Sequence, residues 1–211
     1  MKIAIIGTGN VGRALARGLT RAGRSIVLGS RDPANPKAAA LAKETGAELK
    51  APAEAAAAGD VVILALPWSE AEGAVKALGD LADKIVIDCM NPLVMRDGQL
   101  VLDRGFDASG AEAVAEWIPG ARIVKTLNQA EAGIMADNAE LPHRPLMFMA
   151  GDDDQAKAAV AAILEELGFE PLDAGDLTKA RLLEPLAMAW INQALFRGKG
   201  IDWAFAAVTR R

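Results

Sequence analysis

The sequence predicts an α/β protein whose main body is a doubly wound parallel sheet, and three observations lead to that expectation. At the start of the chain the apolar run Ile3-Ala4-Ile5-Ile6 passes through Gly7-Thr8-Gly9-Asn10-Val11-Gly12 into a helical pattern with Val11, Leu15 and Leu19 on one face. The same strand-to-helix alternation then recurs down the chain, six times in all. Finally, Val61-Val62-Ile63-Leu64-Ala65-Leu66 carries no polar residue, which fits a parallel strand covered on both faces. Together these are the pattern of a Rossmann sheet with right-handed crossovers. It is expected to occupy residues 1–143, with residues 144–211 forming a small C-terminal α/β extension.

The glycine turn carries the first functional reading. Its first glycine permits a tight turn, its second lets a pyrophosphate approach the backbone, and its third lets helix and strand pack closely. The free N–H groups and the positive end of the helix dipole then favour phosphate. Gly7, Thr8, Gly9, Asn10, Val11 and Gly12 are therefore candidate dinucleotide-binding residues.

A helix from Asn10 to Ala22 leads to a second strand, Ser25 to Gly29, and to Ser30-Arg31-Asp32-Pro33 at its carboxyl end, where such sheets read the adenosine ribose. An acid there would accept the free ribose hydroxyl and repel a ribose phosphate. Ser30 and Arg31 offer a hydroxyl and a planar guanidinium fork suited to phosphate, so the expected cofactor is NADP rather than NAD. Asp32 lies near the position of the acid in an NAD binder, and Pro33 is expected to turn it away. Lys37, at the start of the next helix, adds a second positive charge.

The helix Pro36 to Thr45 is followed by a short edge strand, Ala47 to Lys50, and a brief helix, Pro52 to Ala58. After the strand that begins at Val61, Leu66 and Pro67 are placed beside the bound dinucleotide, and Trp68 either flanks it or anchors the next helix. That helix is expected to be capped by Ser69 and to run to Leu78. A fifth strand, Lys84 to Cys89, ends in Met90-Asn91-Pro92-Leu93 at the nicotinamide half of the cleft. There the Asn91 amide offers donor and acceptor and Pro92 stiffens the turn. Asp88 reads as the structural end of the strand, and Cys89 as a small buried hydrophobe, with no basic cluster near it to activate a thiol.

Residues 94–108 read as a polar loop, Ser109 as the cap of a helix to Trp117, and Arg122 to Lys125 as a strand whose sequel, Thr126-Leu127-Asn128-Gln129, points polar groups to the same rim. A helix from Ala130 to Asp137 leaves that rim. In the extension, strands Leu146 to Ala150 and Phe169 to Leu172 flank a helix opened by Asp152-Asp153-Asp154, whose carboxylates suit a helix N-terminus better than a metal. The last helical region, Thr178 to Phe196, is expected to kink at Pro185 and to bury Leu183, Leu186, Ala187, Trp190 and Ala194. With Trp203 and Phe205 it forms an aromatic-rich end expected to cover the cleft, to make a homodimer contact, or both.

Composition narrows the function. With 52% hydrophobic and 24% charged residues, 211 residues suffice to bury a full core. A net charge of -5 without a long basic run argues against nucleic acid or an anionic membrane surface as partner. No apolar stretch has the length of a membrane span and the chain opens directly on a strand, so the expected location is cytoplasmic. One cysteine and one histidine, Cys89 and His143, exclude a disulfide framework and a zinc site of the usual kind; with no tyrosine, the chain is also poor in catalytic acids, bases and nucleophiles. Only for a carbonyl reductase, which would want a positioned proton donor, does Lys125 come into question, and His143 sits in a proline-bounded loop.

Taken together, the glycine turn, Ser30-Arg31, Asn91-Pro92-Leu93, Val124-Lys125-Thr126-Leu127-Asn128 and Ala180-Arg181-Leu182-Leu183-Glu184-Pro185 resemble the NADP oxidoreductase family that uses the deazaflavin coenzyme F420, over nearly the whole chain. The resemblance implies a Rossmann domain carrying NADP and a small C-terminal part that helps form the acceptor site against the nicotinamide. The function expected on this basis is hydride transfer between NADP(H) and a deazaflavin or flavin, with no protein catalytic residue. The alternatives are an NADPH-dependent reductase of another small acceptor (carbonyl, imine or ferric chelate) and a non-catalytic NADPH-binding module that senses redox state.

Overall fold

In the computed structural model, which describes residues 1–208 and 210, strands and helices alternate from the first residues onward. The order is β1 (Ile3–Ile6), α1 (Asn10–Arg21), β2 (Ile26–Gly29), α2 (Pro36–Thr45), β3 (Glu48–Lys50), α3 (Pro52–Ala58), β4 (Val61–Leu64), α4 (Trp68–Lys76) and β5 (Ile85–Asp88). It continues with β6 (Leu93–Arg96), β7 (Gln99–Leu102), α5 (Gly110–Trp117), β8 (Arg122–Lys125), α6 (Ala132–Ala136), β9 (Leu146–Met149), α7 (Asp154–Glu166), β10 (Glu170–Asp173) and α8 (Ala180–Ile191). A 3-10 turn, Leu177–Lys179, leads into α8, and a π-helical turn, Asn192–Phe196, ends it.

Six strands form one sheet in the order β3-β2-β1-β4-β5-β8, and every pairing in it is parallel. The expected doubly wound sheet is therefore present. The order reverses between β1 and β4, where Ile3 pairs with Ile26 on one side and Val61 on the other, and a crevice opens at the carboxyl ends of strands at such a point. The two-residue period of the strands divides the core. Ile3, Ile5, Ile63 and Ile87 face Leu15 and Leu19 of α1 and Val160 and Ile163 of α7. Ala4, Ile6, Val62 and Val86 face α3, α4 and α5 through Ala55, Ala71, Val75 and Val114. Both layers are closed, which explains the uninterrupted apolar runs.

Two local expectations are corrected. The segment read as a polar loop contains a hairpin, β6 and β7, turned by Asp97-Gly98 with φ of 50° and 75°. An Asp-Gly pair is suited to a two-residue turn that needs positive φ at both positions, and that signal outweighs the polarity of Arg96, Asp97 and Gln99. Ser69 does not cap α4, because the helix starts one residue earlier at Trp68 with the extended Pro67 before it. Ser109 does cap α5, accepting from Glu112 N, while Glu112 accepts from the Ser109 hydroxyl at 2.7 Å.

The C-terminal extension is joined to the sheet by backbone and side chain. Strands β9 and β10 pair in parallel around α7, and Lys125 and Ala150 exchange backbone hydrogen bonds of 2.8 and 3.0 Å across to β8. The Gln129 amide clamps Phe148, donating to its carbonyl at 3.0 Å and accepting its N–H at 3.1 Å. Further on, Phe205 O accepts from Leu146 N, and Trp190 stacks on Trp203 with ring centroids 5.5 Å apart. Helix α8 runs through Pro185 with Leu183, Ala187 and Trp190 buried and Leu182 exposed.

A further tie is ionic. Lys125 is 0% exposed, and its ammonium lies 3.0 Å from both Asp88 Oδ2 and Glu184 Oε1 and donates to Met90 O. Glu184, from α8, also accepts from Gly110 N and Ala111 N at the start of α5, at 2.9 and 3.2 Å. Burial alone would lower the Lys125 pKa, but the two carboxylates outweigh it and hold the ammonium above the ordinary lysine value. One cation thus joins β5, β8 and α8. Removing one partner of a buried pair leaves charge without compensation, so Lys125→Met is expected to cost about 3–5 kcal/mol. Urea unfolding followed by circular dichroism checks this, and an unchanged midpoint would contradict it.

Candidate functional site

A cleft of about 710 Å³ opens at the carboxyl ends of β1, β2 and β4, where the strand order reverses. Its volume falls within the usual range for small-molecule sites. Gly7, Thr8 and Gly9 of the turn after β1 line it, together with Leu66 and Pro67 from the segment after β4 and Ser30, Arg31 and Lys37 from the segment after β2. A second cavity, about 210 Å³, lies at the end of α1 among Gly18, Arg21, Asp137 and Glu166, away from the strand ends.

The glycines meet the demands of the turn. Gly7 has φ +109°, and a Cβ there would lie 2.2 Å from Ala65 O. At Gly12 a Cβ would lie 1.9 Å from Gly7 O, so α1 can lie this close to the turn only without a side chain. Gly9 differs, because a Cβ there would meet nothing within 4 Å. It borders the cleft and is the N-cap of α1, with no capping side chain, and the first turn of α1 holds no acid. The positive end of a 12-residue helix therefore faces the cleft without a protein anion to satisfy it. That arrangement fits a pyrophosphate.

The remaining residues of the motif do not line the cleft. Val11 packs against the core, and Asn10 Oδ1 accepts from Arg13 Nη2 at 2.6 Å. Arg13 itself does line it. The sequence reading passed over this arginine, although a cation one residue after the third glycine was a usable signal. Also unassigned at that stage were Asn35, Pro52, Glu70, Ala74 and Ala77, whose small or polar side chains complete the walls.

At the ribose end, Ser30 is buried and its hydroxyl donates to Asp32 O at 3.0 Å. Asp32 Oδ1 accepts from Ala34 N at 3.0 Å, so its carboxylate is engaged by its own turn. Arg31 is exposed and pairs with Glu70. Lys37 lies in the first turn of α2, capped by Asn35.

Beyond Pro67 the rim is packed. Asn91 and Pro92 do not border the cleft: Asn91 exchanges hydrogen bonds of 3.0 Å with Asn128, and Pro92 lies against Gly110. Asn128 also donates to Leu183 O at 3.2 Å, bringing α8 over the ends of β5 and β8. Thr126, Asn128 and Gln129, read as rim groups, are buried braces. Trp68 packs on Trp117 with centroids 5.4 Å apart and is thus a helix anchor. Lys125 is enclosed by its ion pairs, and His143 is exposed on a loop. The aspartate triplet serves backbone: Asp152 accepts from Leu177 N and Asp153 caps α7. Among the described residues no cluster of His, Cys, Asp or Glu could hold a metal, and no helix is long and apolar enough to cross a membrane.

Residues 2–92, which hold the whole cleft, match the family model described as NADP oxidoreductase, coenzyme F420-dependent. A curated relative, the F420-dependent NADP reductase of Methanothermobacter marburgensis, is 30% identical over 91% of this chain and 92% of its own length. The chain belongs to this family of NADP oxidoreductases. A crystal structure of a putative F420-dependent NADP reductase from an Arthrobacter species is 33% identical and superposes with a TM-score of 0.91 over 99% of this chain and 100% of that one. The metalloreductase STEAP3 of Rattus norvegicus is also similar, 31% identical over 89% of this chain. The match spans 36% of that protein, so the chain corresponds to about a third of its length.

Cys89 tests how closed the rim of this family member is. Its thiol donates to Leu64 O at 2.9 Å, and burial pushes it up to about 12. In the folded protein at neutral pH, a thiol reagent is expected to leave it unmodified, and in denaturant to label one thiol per chain. Rapid labelling of the native protein would contradict the burial.

Proposed function

We propose that the chain binds NADP(H) in the cleft and transfers hydride between the nicotinamide and a deazaflavin or flavin acceptor. The observation that carries this reading is the pairing of an uncapped helix N-terminus at Gly9 with a serine, an arginine and a lysine at the ribose end. When bound, the cofactor supplies the hydride. The chain's part is to orient the two rings and exclude water, bringing donor and acceptor carbons to roughly 3–3.5 Å. Lys125 and Cys89 are held by buried partners, and neither they nor His143 lines the cleft, so none of these three is placed to move a proton there. A deazaflavin or flavin suits such a site better than a carbonyl, whose reduction needs a positioned donor. The STEAP3 relative supports a second reading, in which the acceptor is a ferric chelate.

Two measurements test the proposal. The 2′-phosphate contact is worth roughly 1.5–3 kcal/mol, so Arg31→Ala is expected to weaken NADPH binding by about ten- to a hundredfold and to leave NADH nearly unchanged. Equal losses for both would reject the ribose assignment. NADPH oxidation is then followed against coenzyme F420, free flavins and ferric chelates in parallel. Turnover is expected with the deazaflavin or flavin and should survive His143→Gln and Cys89→Ser. A fall beyond roughly a hundredfold in either variant, with cofactor affinity intact, would reveal side-chain catalysis and reject this mechanism.

A further inference from the structure

Arg31 meets an anion before any ligand arrives. Glu70, in the first turn of α4, lines the same cleft and places its carboxylate on the Arg31 guanidinium. The backbone holds it there, since Glu70 N donates to Pro67 O at 3.1 Å and the first turn of a helix favours a carboxylate. The other acid at this end is already committed, with Asp32 bonded to Ala34 N. The Arg31 and Glu70 side chains are 76% and 43% exposed, and an ion pair so open to water is weak and exchangeable. Resting on the NADP reading above, we propose that Glu70 tunes how strongly the site prefers a phosphorylated ribose: it occupies Arg31 in the free protein, yields it to a ribose 2′-phosphate, and so moderates the preference that Arg31 alone would give.

The physical basis is a competition between anions. A phosphate monoester carries close to two negative charges at neutral pH and three strong acceptor oxygens, so it displaces a carboxylate from a guanidinium. A ribose hydroxyl carries no charge and leaves the pair closed. Glu70 therefore sets the affinity for phosphorylated dinucleotides below what Arg31 alone would give, by competing for the cation. For unphosphorylated ligands it changes little.

The test is calorimetric titration of the full chain with adenosine 2′,5′-bisphosphate and with AMP, which differ in the 2′-phosphate alone. Glu70→Gln is expected to tighten the bisphosphate by roughly two- to fivefold, the range of an exposed ion pair, and to leave AMP unchanged. In an Arg31→Ala background the gain should vanish, because there is no pair left to break. Unchanged or weaker bisphosphate binding by Glu70→Gln, or an equal gain in the Arg31→Ala background, would overturn the role of Glu70. If the wild-type protein holds bisphosphate no better than AMP and Arg31→Ala alters neither, the NADP reading itself fails and the Glu70 proposal falls with it. The first pattern removes only the competition. The second removes the site.

Discussion

Lys125 sits between Asp88 and Glu184 with no exposure to water, and much of the rim depends on that contact. Asp88 ends β5, Lys125 ends β8 and Glu184 lies on α8, so one ammonium fixes where the two strands stop and where the C-terminal helix lies. The cluster holds two carboxylates to one ammonium. The second carboxylate is accommodated by the N–H groups of Gly110 and Ala111, where the α5 dipole favours negative charge. Arg181 adds a bidentate pair with Glu112 at 2.6 and 2.9 Å, again joining α8 to the start of α5. The helix that crosses the strand ends is thus held by directed polar contacts as well as by its apolar face.

Two arginine or lysine sites in one chain show how surroundings decide the use of a charge. Lys125 is in a region of low dielectric, where its attraction to carboxylates is strong and the loss of a partner is costly. It is structural because nothing can exchange with it. Arg31 is in water, where its bond to Glu70 is weak and a better anion can take the place of the carboxylate. Exposure is what makes Arg31 suitable for binding. The same contrast separates Cys89, buried on Leu64 O, from a reactive thiol.

The fold was legible because its layers impose periodic patterns. Runs such as Val61 to Leu64 lie between two helix layers and can only be apolar, and the glycine turn marks a place where helix and strand nearly touch. The hairpin at Asp97-Gly98 was missed because its strands lie outside the sheet with partly exposed faces, so apolar alternation did not reveal them. In the cleft, residues adjacent in sequence to the turn were readable, but Glu70 was not, because its pairing with Arg31 joins the first turn of α4 to the segment after β2, far apart in sequence. The enclosure of Lys125 was hidden for the same reason. A lysine at a strand end looks like a rim donor until Asp88, 37 residues earlier, and Glu184 on the last helix are seen to enclose it. Asn128 and Gln129 likewise reveal their partners only in three dimensions.

One strained residue connects this packing to the rim. Leu127 has φ of 58°, a conformation that costs a residue with a side chain on the order of 1–2 kcal/mol, yet it is fully buried immediately after β8. Such a residue persists where its neighbours determine the backbone more strongly than it resists. Here Thr126 donates to Phe148 O on one side, and Asn128 bonds to Asn91 and Leu183 O on the other, so both flanking side chains are fixed. The left-handed turn directs the chain away from the sheet and sends Asn128 toward Asn91, closing the ends of β5 and β8 into one rigid edge. The ring-to-ring transfer proposed above would need such an edge to stay in place. The strain at Leu127 and the buried charge at Lys125 serve that same rigidity from opposite sides of β8.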